Sequence, residues 1–290
     1  MNLYPIVAGN FMLDGGAMFG VVPKSIWQKT NPADNNNMVK IAARCLLIED
    51  GNRLVLIDTG MGDKQSEKFF GYYYRWGEET LESSLKKHGF QPDDVTDVFL
   101  THLHFDHCGG GVVRSGKNSL DTTFKNAKYW SNKGHLNWAT DPNKRESASF
   151  LKENINPILE SGQLCYLEKD RRNYLTQTKL GFDVLFVDGH TEKQMIPVLN
   201  YKGQKIAFAA DLVPTHGHVP LPYIPGYDIR PLISLKEKDL FLNYCAENNV
   251  FLFFEHDAFV EVGSLHNCLL YTSDAADEGL GVDLGGRRII

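Results

Sequence analysis

Two apolar runs open the pattern: residues 40–48 (KIAARCLLI) and 53–58 (RLVLID) flank Glu49-Asp50-Gly51-Asn52. That linker is rich in residues that tolerate positive φ, so the stretch predicts a β-hairpin. In residues 78–88 Leu81 and Leu85 lie four apart, with acids early, Lys86 and Lys87 late, and Gly89 as a stop. This is the signature of an amphipathic helix with charges matched to its ends. Pro92 leads into 95–100 (VTDVFL), a short bounded apolar run that predicts a buried strand. Residues 125–180 are more polar and lean helical, with short helices predicted around 131–138 and 145–160. Strands are then predicted at 183–188, 194–199, 205–210 and 250–254, with a turn at Tyr201-Lys202-Gly203 and a helix over 235–247. Two strand-rich halves around helical segments predict an α/β protein with a sheet-on-sheet core and helices outside.

Neither linker nor internal repeat divides the chain, so residues 1–267 are expected to form a single domain. Beyond about Cys268 (CLLYTSDAADEGLGVDLGGRRII) periodicity ends and four glycines interrupt any helix. Residues 268–290 resemble translated sequencing adapter and are expected to be a non-native or disordered tail.

Composition narrows the function classes. With 36 acidic against 30 basic residues the net charge is −6, and no Lys/Arg run exceeds two. The electrostatic footprint of a nucleic-acid binder is missing. No apolar stretch approaches the roughly 18–20 residues needed to span a bilayer, and the N-terminus lacks the layout of an export signal. A cytoplasmic protein without membrane or nucleic-acid partners is expected. Five cysteines (Cys45, Cys108, Cys165, Cys245 and Cys268) are scattered without a CxxC pair, which suggests reduced thiols rather than a disulfide framework or a thiolate metal site.

The chemistry concentrates in HLHFDH, where His102, His104, Asp106 and His107 fall within six residues just past a predicted buried strand. Residues two apart on an extended segment point to one side, so His102 and His104 can converge on one ion. Asp106 and His107, displaced by the next turn, can reach a second, and Gly109, Gly110 and Gly111 are expected to let the backbone bend tightly behind them. Imidazole and carboxylate at this density suit zinc or a similar ion. Six residues cannot fill two coordination shells. Three further candidates each end an apolar run: His190 after DVLFVDG, Asp211 after KIAFAA, and His256 after VFLFFE. Cys108 beside the glycines is expected to be a small buried residue, not a ligand.

The order HLHFDH, Gly189-His190-Thr191, Ala210-Asp211, Glu255-His256-Asp257 resembles the metallo-β-lactamase superfamily across nearly all of residues 1–262. Asp58-Thr59-Gly60 matches that family's early Asp-Thr-Gly loop, whose aspartate supports the metal site from behind its ligands. The resemblance implies an αβ/βα sandwich in which His102, His104 and His190 hold one metal and Asp106, His107 and His256 the other, with Asp211 bridging. It implies two zinc ions as cofactors, with Mn, Co or Fe as other admissible divalent metals. Asp211 stands where several true β-lactamases place a thiolate, which disfavours antibiotic hydrolysis.

The segment from Asp14 to Lys24 resembles the branch of quorum-quenching N-acyl homoserine lactonases and methyl-parathion-type organophosphate hydrolases. There the loop lines the substrate pocket and contributes to a dimer, so Met18, Phe19, Val21 and Val22 are pocket candidates, with plain core or dimer packing as the alternative. Lactonases carry a tyrosine three residues after the bridging aspartate, against the substrate carbonyl. This chain has Pro214 there, and His216 or Tyr223 are the candidate substitutes.

The resulting expectation is a dinuclear hydrolase of a small lactone or ester. A hydroxide generated between two cations about 3.5–4 Å apart attacks the carbonyl, and Asp106 shuttles a proton to the leaving oxygen. Phosphotriester hydrolysis on the same site is the first alternative. A non-hydrolytic metal-binding or redox scaffold is the second, although the carboxylate-for-histidine change and flavin domain of flavodiiron relatives are not seen here.

Overall fold

A computed structural model describes residues 1–117, 119–169, 173–266 and 281–283. The strands in chain order are β1 (Asn2–Asp14), β2 (Met38–Asp50), β3 (Arg53–Ile57), β4 (Asp97–Phe99), β5 (Val112–Arg114), β6 (Leu120–Thr122), β7 (Lys128–Ser131), β8 (Leu164–Tyr166), β9 (Tyr174–Leu175), β10 (Asp183–Val187), β11 (Gln194–Tyr201), β12 (Gln204–Phe208), β13 (Phe251–Phe253), β14 (Val262–His266) and β15 (Gly281–Asp283). The helices are α1 (Gly15–Phe19), α2 (Lys24–Trp27), α3 (Glu67–Gly71), α4 (Leu81–Lys87), α5 (Phe105–Cys108), α6 (Lys133–Thr140), α7 (Lys152–Glu160) and α8 (Pro231–Glu247).

Two mixed sheets form, ordered β1-β2-β3-β4-β7-β8 and β15-β14-β13-β12-β11-β10-β9, with β5-β6 as a separate ribbon. The period of two along a strand explains the layering. In β2, Leu46 and Ile48 join the core shared with the second sheet, while Cys45 and Leu47 join a core on the opposite face. Strand β3 divides the same way, Val55 and Ile57 against Leu54 and Leu56. These strands read as continuous apolar runs because both faces are covered. Leu85 of α4 and Ile155 and Ile158 of α7 pack on the outer face of the first sheet. Phe241, Leu242 and Cys245 of α8 pack with the second. The result is the expected αβ/βα sandwich.

Local signals account for the hairpins and the longest helix. The β11–β12 loop is Lys202-Gly203, with φ of 49° and 80°, the paired positive angles of a twist-matched two-residue turn. Helix α8 begins at Pro231, earlier than residue 235, because proline's fixed φ and missing N–H suit a first helical turn. Elsewhere the structure departs from the pattern. Strand β1 has no clear alternation because a register shift between Val7 and Asn10 breaks its pairing with β2. Its buried residues Leu3, Ile6 and Phe11 consequently serve three different clusters. The helix expected over 145–160 begins only at Lys152, and β7 lies where helix alone was anticipated. Of the tail expected at 268–290, only 281–283 fall among the described residues, paired with β14; the rest, Cys268 included, lies outside them. Cys45, Cys108, Cys165 and Cys245 are free thiols. No helix among the described residues is long and apolar enough to cross a membrane.

The glycines after HLHFDH act differently from expectation. Gly109–Gly111 form a helical turn, not a sharp bend. A Cβ on Gly110 would come within 2.1 Å of the Thr59 carbonyl, and one on Gly109 within 2.2 Å of Met61's. Bare backbone lets the turn after β3 lie directly on the histidine-bearing turn. Three bonds lock that contact: Gly110 N–H to the Gly60 carbonyl at 2.9 Å, and Thr59 N–H and Oγ1–H to the His107 carbonyl at 2.8 and 2.9 Å.

Residues 14–27 fold back as a plug. Phe19 stacks between Trp27 and His218, with centroids 5.0 and 4.2 Å away. The fully buried His218 donates from Nε2 to the Met18 carbonyl at 3.0 Å and pairs through Nδ1 with Thr215 Oγ1 at 2.7 Å. Burial lowers its pKa to about 3. Folded His218 is therefore neutral, whereas unfolded His218 takes a proton near pH 6.5. Its contribution to stability is full above pH 6.5 and shrinks as pH falls toward 3. Urea unfolding of metal-stripped protein at pH 6.5, 5.5 and 4.5 should show H218Q with a shallower pH slope than wild type, by about 1.4 kcal/mol per pH unit. Equal slopes would mean that the ring is protonated in the fold.

Candidate metal centre

Every predicted ligand leaves the sandwich just beyond a strand of the paired sheets. Asp58 follows β3, and His102 to His107 follow β4 and enter α5. His190 follows β10, Asp211 follows β12, and His256 follows β13. Two corners adopt left-handed backbone, Asp58 at φ 58° and Ala210 at φ 42°. For Ala210 this conformation costs roughly 1 kcal/mol or more, and it sits immediately before Asp211. The sheets are tied across this end: Met195 N–H donates to the Thr101 carbonyl at 2.9 Å, and Arg44 Nη1 to the Phe254 and Asp257 carbonyls at 2.9 and 2.7 Å.

The seven side chains gather in two buried groups, His102, His104, His190 and Asp211 in one, Asp106, His107 and His256 in the other. Within the first, His102 Nε2 and His190 Nε2 lie 3.0 and 3.1 Å from His104 Nδ1. Within the second, His256 Nε2 is 3.2 Å from His107 Nε2. Ligand nitrogens around a tetrahedral zinc, at roughly 2.0–2.1 Å from the metal, stand about 3.3 Å apart, so the spacing fits. Asp211 lies between the groups. Its Oδ2 is 3.1 Å from His190 Nε2 and 3.4 Å from His107 Nε2, and its Oδ1 is 3.0 Å from His256 Nε2. Asp106 is the most open of the seven at 8% exposure, 3.8 Å from His256 Nε2 and 3.9 Å from His107 Nε2.

The outward nitrogens settle which way each ring faces. His190 Nδ1 donates to Asp228 Oδ1 at 2.9 Å, His104 Nε2 to Glu146 Oε1 at 3.1 Å, and His256 Nδ1 to the Ala42 carbonyl at 2.8 Å. His102 Nδ1 meets Thr101 Oγ1 at 3.1 Å, and that hydroxyl donates onward to Asp58 Oδ2 at 2.6 Å. His107 Nδ1 lies 3.1 Å from both Asp58 Oδ2 and Glu255 Oε2. With a proton held on each outer nitrogen, the inner nitrogens of all five rings point toward the centre, where a cation that displaced any second proton would find their lone pairs.

Charge gives the same answer. Burial disfavours protonating His190 and His256, yet Asp211 outweighs it and lifts them to about 10 and about 9. Burial works against charge on Asp211 too, and the surrounding imidazoles hold its carboxyl well below the ordinary range. His102, buried and faced by three other imidazoles, is pushed well below its ordinary value. The cluster draws protons toward its carboxylates while its rings repel one another, the balance that divalent cations at the inner nitrogens satisfy. The donor set of imidazoles and carboxylates suits zinc and comparable divalent ions.

Three partners went unrecognised in the sequence. Glu146 lies in the loop between α6 and α7. Its carboxylate also accepts from Trp138 Nε1 at 2.7 Å, Asn143 Nδ2 at 2.8 Å and Thr191 Oγ1. Burial opposes its ionisation, but His104 and these donors pull it down to about 2. Asp228 lies in the loop before α8. Glu255 precedes His256 and is fully buried; burial, aided by Asp58 and opposed by His107, raises its pKa to about 8. Only Glu255 had a signal, an acid at the end of an apolar strand.

The pocket candidates fare unevenly. Met18 and Phe19 are fully buried in the plug, and Val21 is 96% exposed. His216 gives its ring and backbone N–H to Asp257. Tyr223 is half-buried against the plug. Instead, aromatic rings of α3 and its neighbours stand beside the cluster: Tyr73 lies 4.9 Å from Phe105 and 5.1 Å from Phe69, and Phe11 6.1 Å from His256. A cleft of about 390 Å³ lined by Phe11, Met61, Trp76 and Leu81 contains none of the seven side chains.

If Glu146 orients His104, E146A should retain its fold by circular dichroism but bind zinc 10–100-fold more weakly in chelator competition, with E146Q intermediate. Wild-type affinity in E146A would show that His104 needs no such support.

The metallo-β-lactamase superfamily model matches residues 41–244. An N-acyl homoserine lactonase of Bacillus cereus is 28% identical over 119 residues, 38% of this chain and 43% of that protein. A probable metallo-hydrolase of Mycobacterium bovis is 32% identical over 108 residues, 32% of this chain and 35% of its own. The aligned stretch thus spans less than half the length of the curated relatives it matches. Among solved structures, a probable metal-dependent hydrolase from Staphylococcus aureus superposes with a TM-score of 0.83 at 25% identity, covering 98% of this chain and 97% of that one. A dizinc quorum-quenching lactonase in complex with a product superposes at 0.74 and 21% identity, over 97% and 93% of the two chains, which shows a shared fold.

Proposed function

We propose that this chain, which belongs to the metallo-β-lactamase superfamily and is a metal-dependent hydrolase, opens a small lactone or ester of the N-acyl homoserine lactone kind. The observation that carries the reading is Asp211, whose Oδ2 lies 3.1 Å from His190 Nε2 in one group and 3.4 Å from His107 Nε2 in the other, with Oδ1 3.0 Å from His256 Nε2. Among the described residues Oδ1 accepts no well-aligned hydrogen bond, although His256 Nε2 lies 3.0 Å away, an arrangement that suits a carboxylate shared by two cations. In that reading His102, His104 and His190 hold one cation, Asp106, His107 and His256 the other, and two zinc ions are the natural pair, with Mn, Co or Fe compatible.

When bound, such a pair supplies an activated water and polarises the carbonyl under attack. The chain's own groups do the rest. Asp211 fixes the spacing of the two halves. Asp106, open at the mouth, is poised to carry a proton to the leaving alkoxide oxygen. Asp58 acts from behind, through His107 and through Thr101. The rings of Phe69, Tyr73 and Phe105 supply an apolar wall next to Asp106 for an acyl chain or aryl group, and they keep bulk water from it. A net charge of −6 without basic runs disfavours nucleic acid as a substrate.

Two measurements test this. Zinc-loaded protein should hydrolyse N-hexanoyl homoserine lactone with a higher kcat/KM than paraoxon; the reverse order would favour the phosphotriester reading of the same site. Asp211→Ala should lower turnover by roughly 10²–10³-fold, as expected when preorganised charge at the reacting centre is lost. It should also reduce the zinc retained after dialysis. Full turnover with two zinc ions per chain in D211A would remove the bridge.

A further inference from the structure

A buried histidine outside both cation groups joins two stretches of main chain. His135 is 1% exposed. It sits in the first turn of α6, where Asn132 caps the helix by accepting from the Gly134 and His135 N–H groups at 2.8 and 3.2 Å. Both ring nitrogens end on backbone. Nε2 lies 2.8 Å from Leu103 N, and Nδ1 lies 2.5 Å from the Glu192 carbonyl oxygen. An amide N–H can only donate and a carbonyl can only accept. The ring is therefore neutral with its proton on Nδ1, and neither partner can alter that by titrating. Burial, which lowers its pKa to about 4, agrees.

The two partners matter because of where they stand. Leu103 is the residue between His102 and His104, on a segment that has run past the end of β4 at Phe99, where ladder acceptors run out. Its carbonyl is held as well, accepting from Cys108 Sγ at 3.3 Å. Glu192 follows His190 by two residues, in a turn closed by Lys193 N–H donating to Asp188 Oδ1 at 3.0 Å. The Glu192 carboxylate is gripped in turn by Arg230 Nη2 at 2.8 Å and Lys193 Nζ at 2.7 Å. One imidazole thus ties the main chain beside His102 and His104 to the main chain beside His190. Phe150 fills the angle between them, its ring 4.7 Å from that of His104 and 5.8 Å from that of His135.

We infer that His135 is a positioning residue: through its two main-chain hydrogen bonds it sets the spacing between the His102–His104 segment and His190, so that the three-imidazole group is assembled before a cation enters it. A site held in its bound geometry loses less freedom on binding and binds more tightly for it. The inference rests on the metal centre of the proposed reading and not on the choice of substrate. Were the ring only core filling, an aliphatic side chain of similar volume would serve as well.

The test follows zinc and one amide instead of turnover. Zinc-loaded full-length protein challenged with a chelator should release one of its two ions about 10–100-fold more readily in H135L than in wild type, the other being moved less. H135Q, whose amide offers an acceptor and a donor together, should restore wild-type retention. The Leu103 amide should exchange with solvent about tenfold faster in H135L and at the wild-type rate in H135Q. Should H135L not fold, H135N takes its place: its amide stays polar but is one carbon too short to reach both partners, and the same loss is expected. Wild-type retention in H135L, equal loss of both ions, or no rescue by H135Q would each overturn the inference while leaving the lactone or ester reading intact. Wild type that holds no zinc would overturn it together with the metal centre.

Discussion

Imidazole nitrogens 3.0–3.2 Å apart in a buried space, with their outer nitrogens already donating, offer one another either lone pairs or the second protons that Asp211 draws onto His190 and His256. Cations held by these nitrogens would displace those protons and relieve the crowding of lone pairs, and the rest of this end of the molecule imposes the arrangement. The outward bonds of His190 to Asp228, His104 to Glu146 and His256 to the Ala42 carbonyl remove each ring's freedom to flip and escape. The strained Ala210 corner and the bare glycine turn at 109–111 bring the backbone segments close enough for the rings to meet. Close packing of both sheets makes these positions stiff, since interiors resist even small displacements.

The sequence disclosed those parts whose physics is local. Apolar runs with both faces buried marked β2, β3, β4, β12 and β13, and the strand ends marked where their loops would emerge. His102 and His104, two apart on an extended segment, converge as the spacing requires, while Asp106 and His107 cross to the other group through α5. What the sequence hid is non-local or irregular. Strand β1 was masked by its own bulge. Glu146 and Asp228 sit in polar loops where an acid is unremarkable, and each acquires meaning only by meeting an imidazole 42 or 38 residues away. Met18 and Phe19 were pocket candidates because their segment resembles a pocket-lining loop, and apolar side chains suit a pocket and a plug equally. Contact with Trp27 and His218 makes them a plug.

The two halves of the centre differ in what stands behind them. In the first, carboxylates back His190 and His104 directly, which raises the basicity of the inner nitrogens. In the second, His256 leans on a neutral carbonyl, and His107 faces two carboxyl groups with a single Nδ1–H to share. Asp58 already accepts from the Thr101 backbone and hydroxyl at 2.8 and 2.6 Å, so its geometry is fixed. Glu255 has no such bonds, and burial lifts its pKa to about 8. Against burial, charge on Glu255 in turn raises His107 well above the ordinary imidazole value, so the two groups share a proton rather than each titrating alone. The second group is thus backed by a carbonyl and a shared proton where the first is backed by two carboxylates, and it is also the group that holds Asp106, the most exposed of the seven. Strong electrostatic support accordingly lies where the cluster is closed, and weaker support where it opens to a substrate.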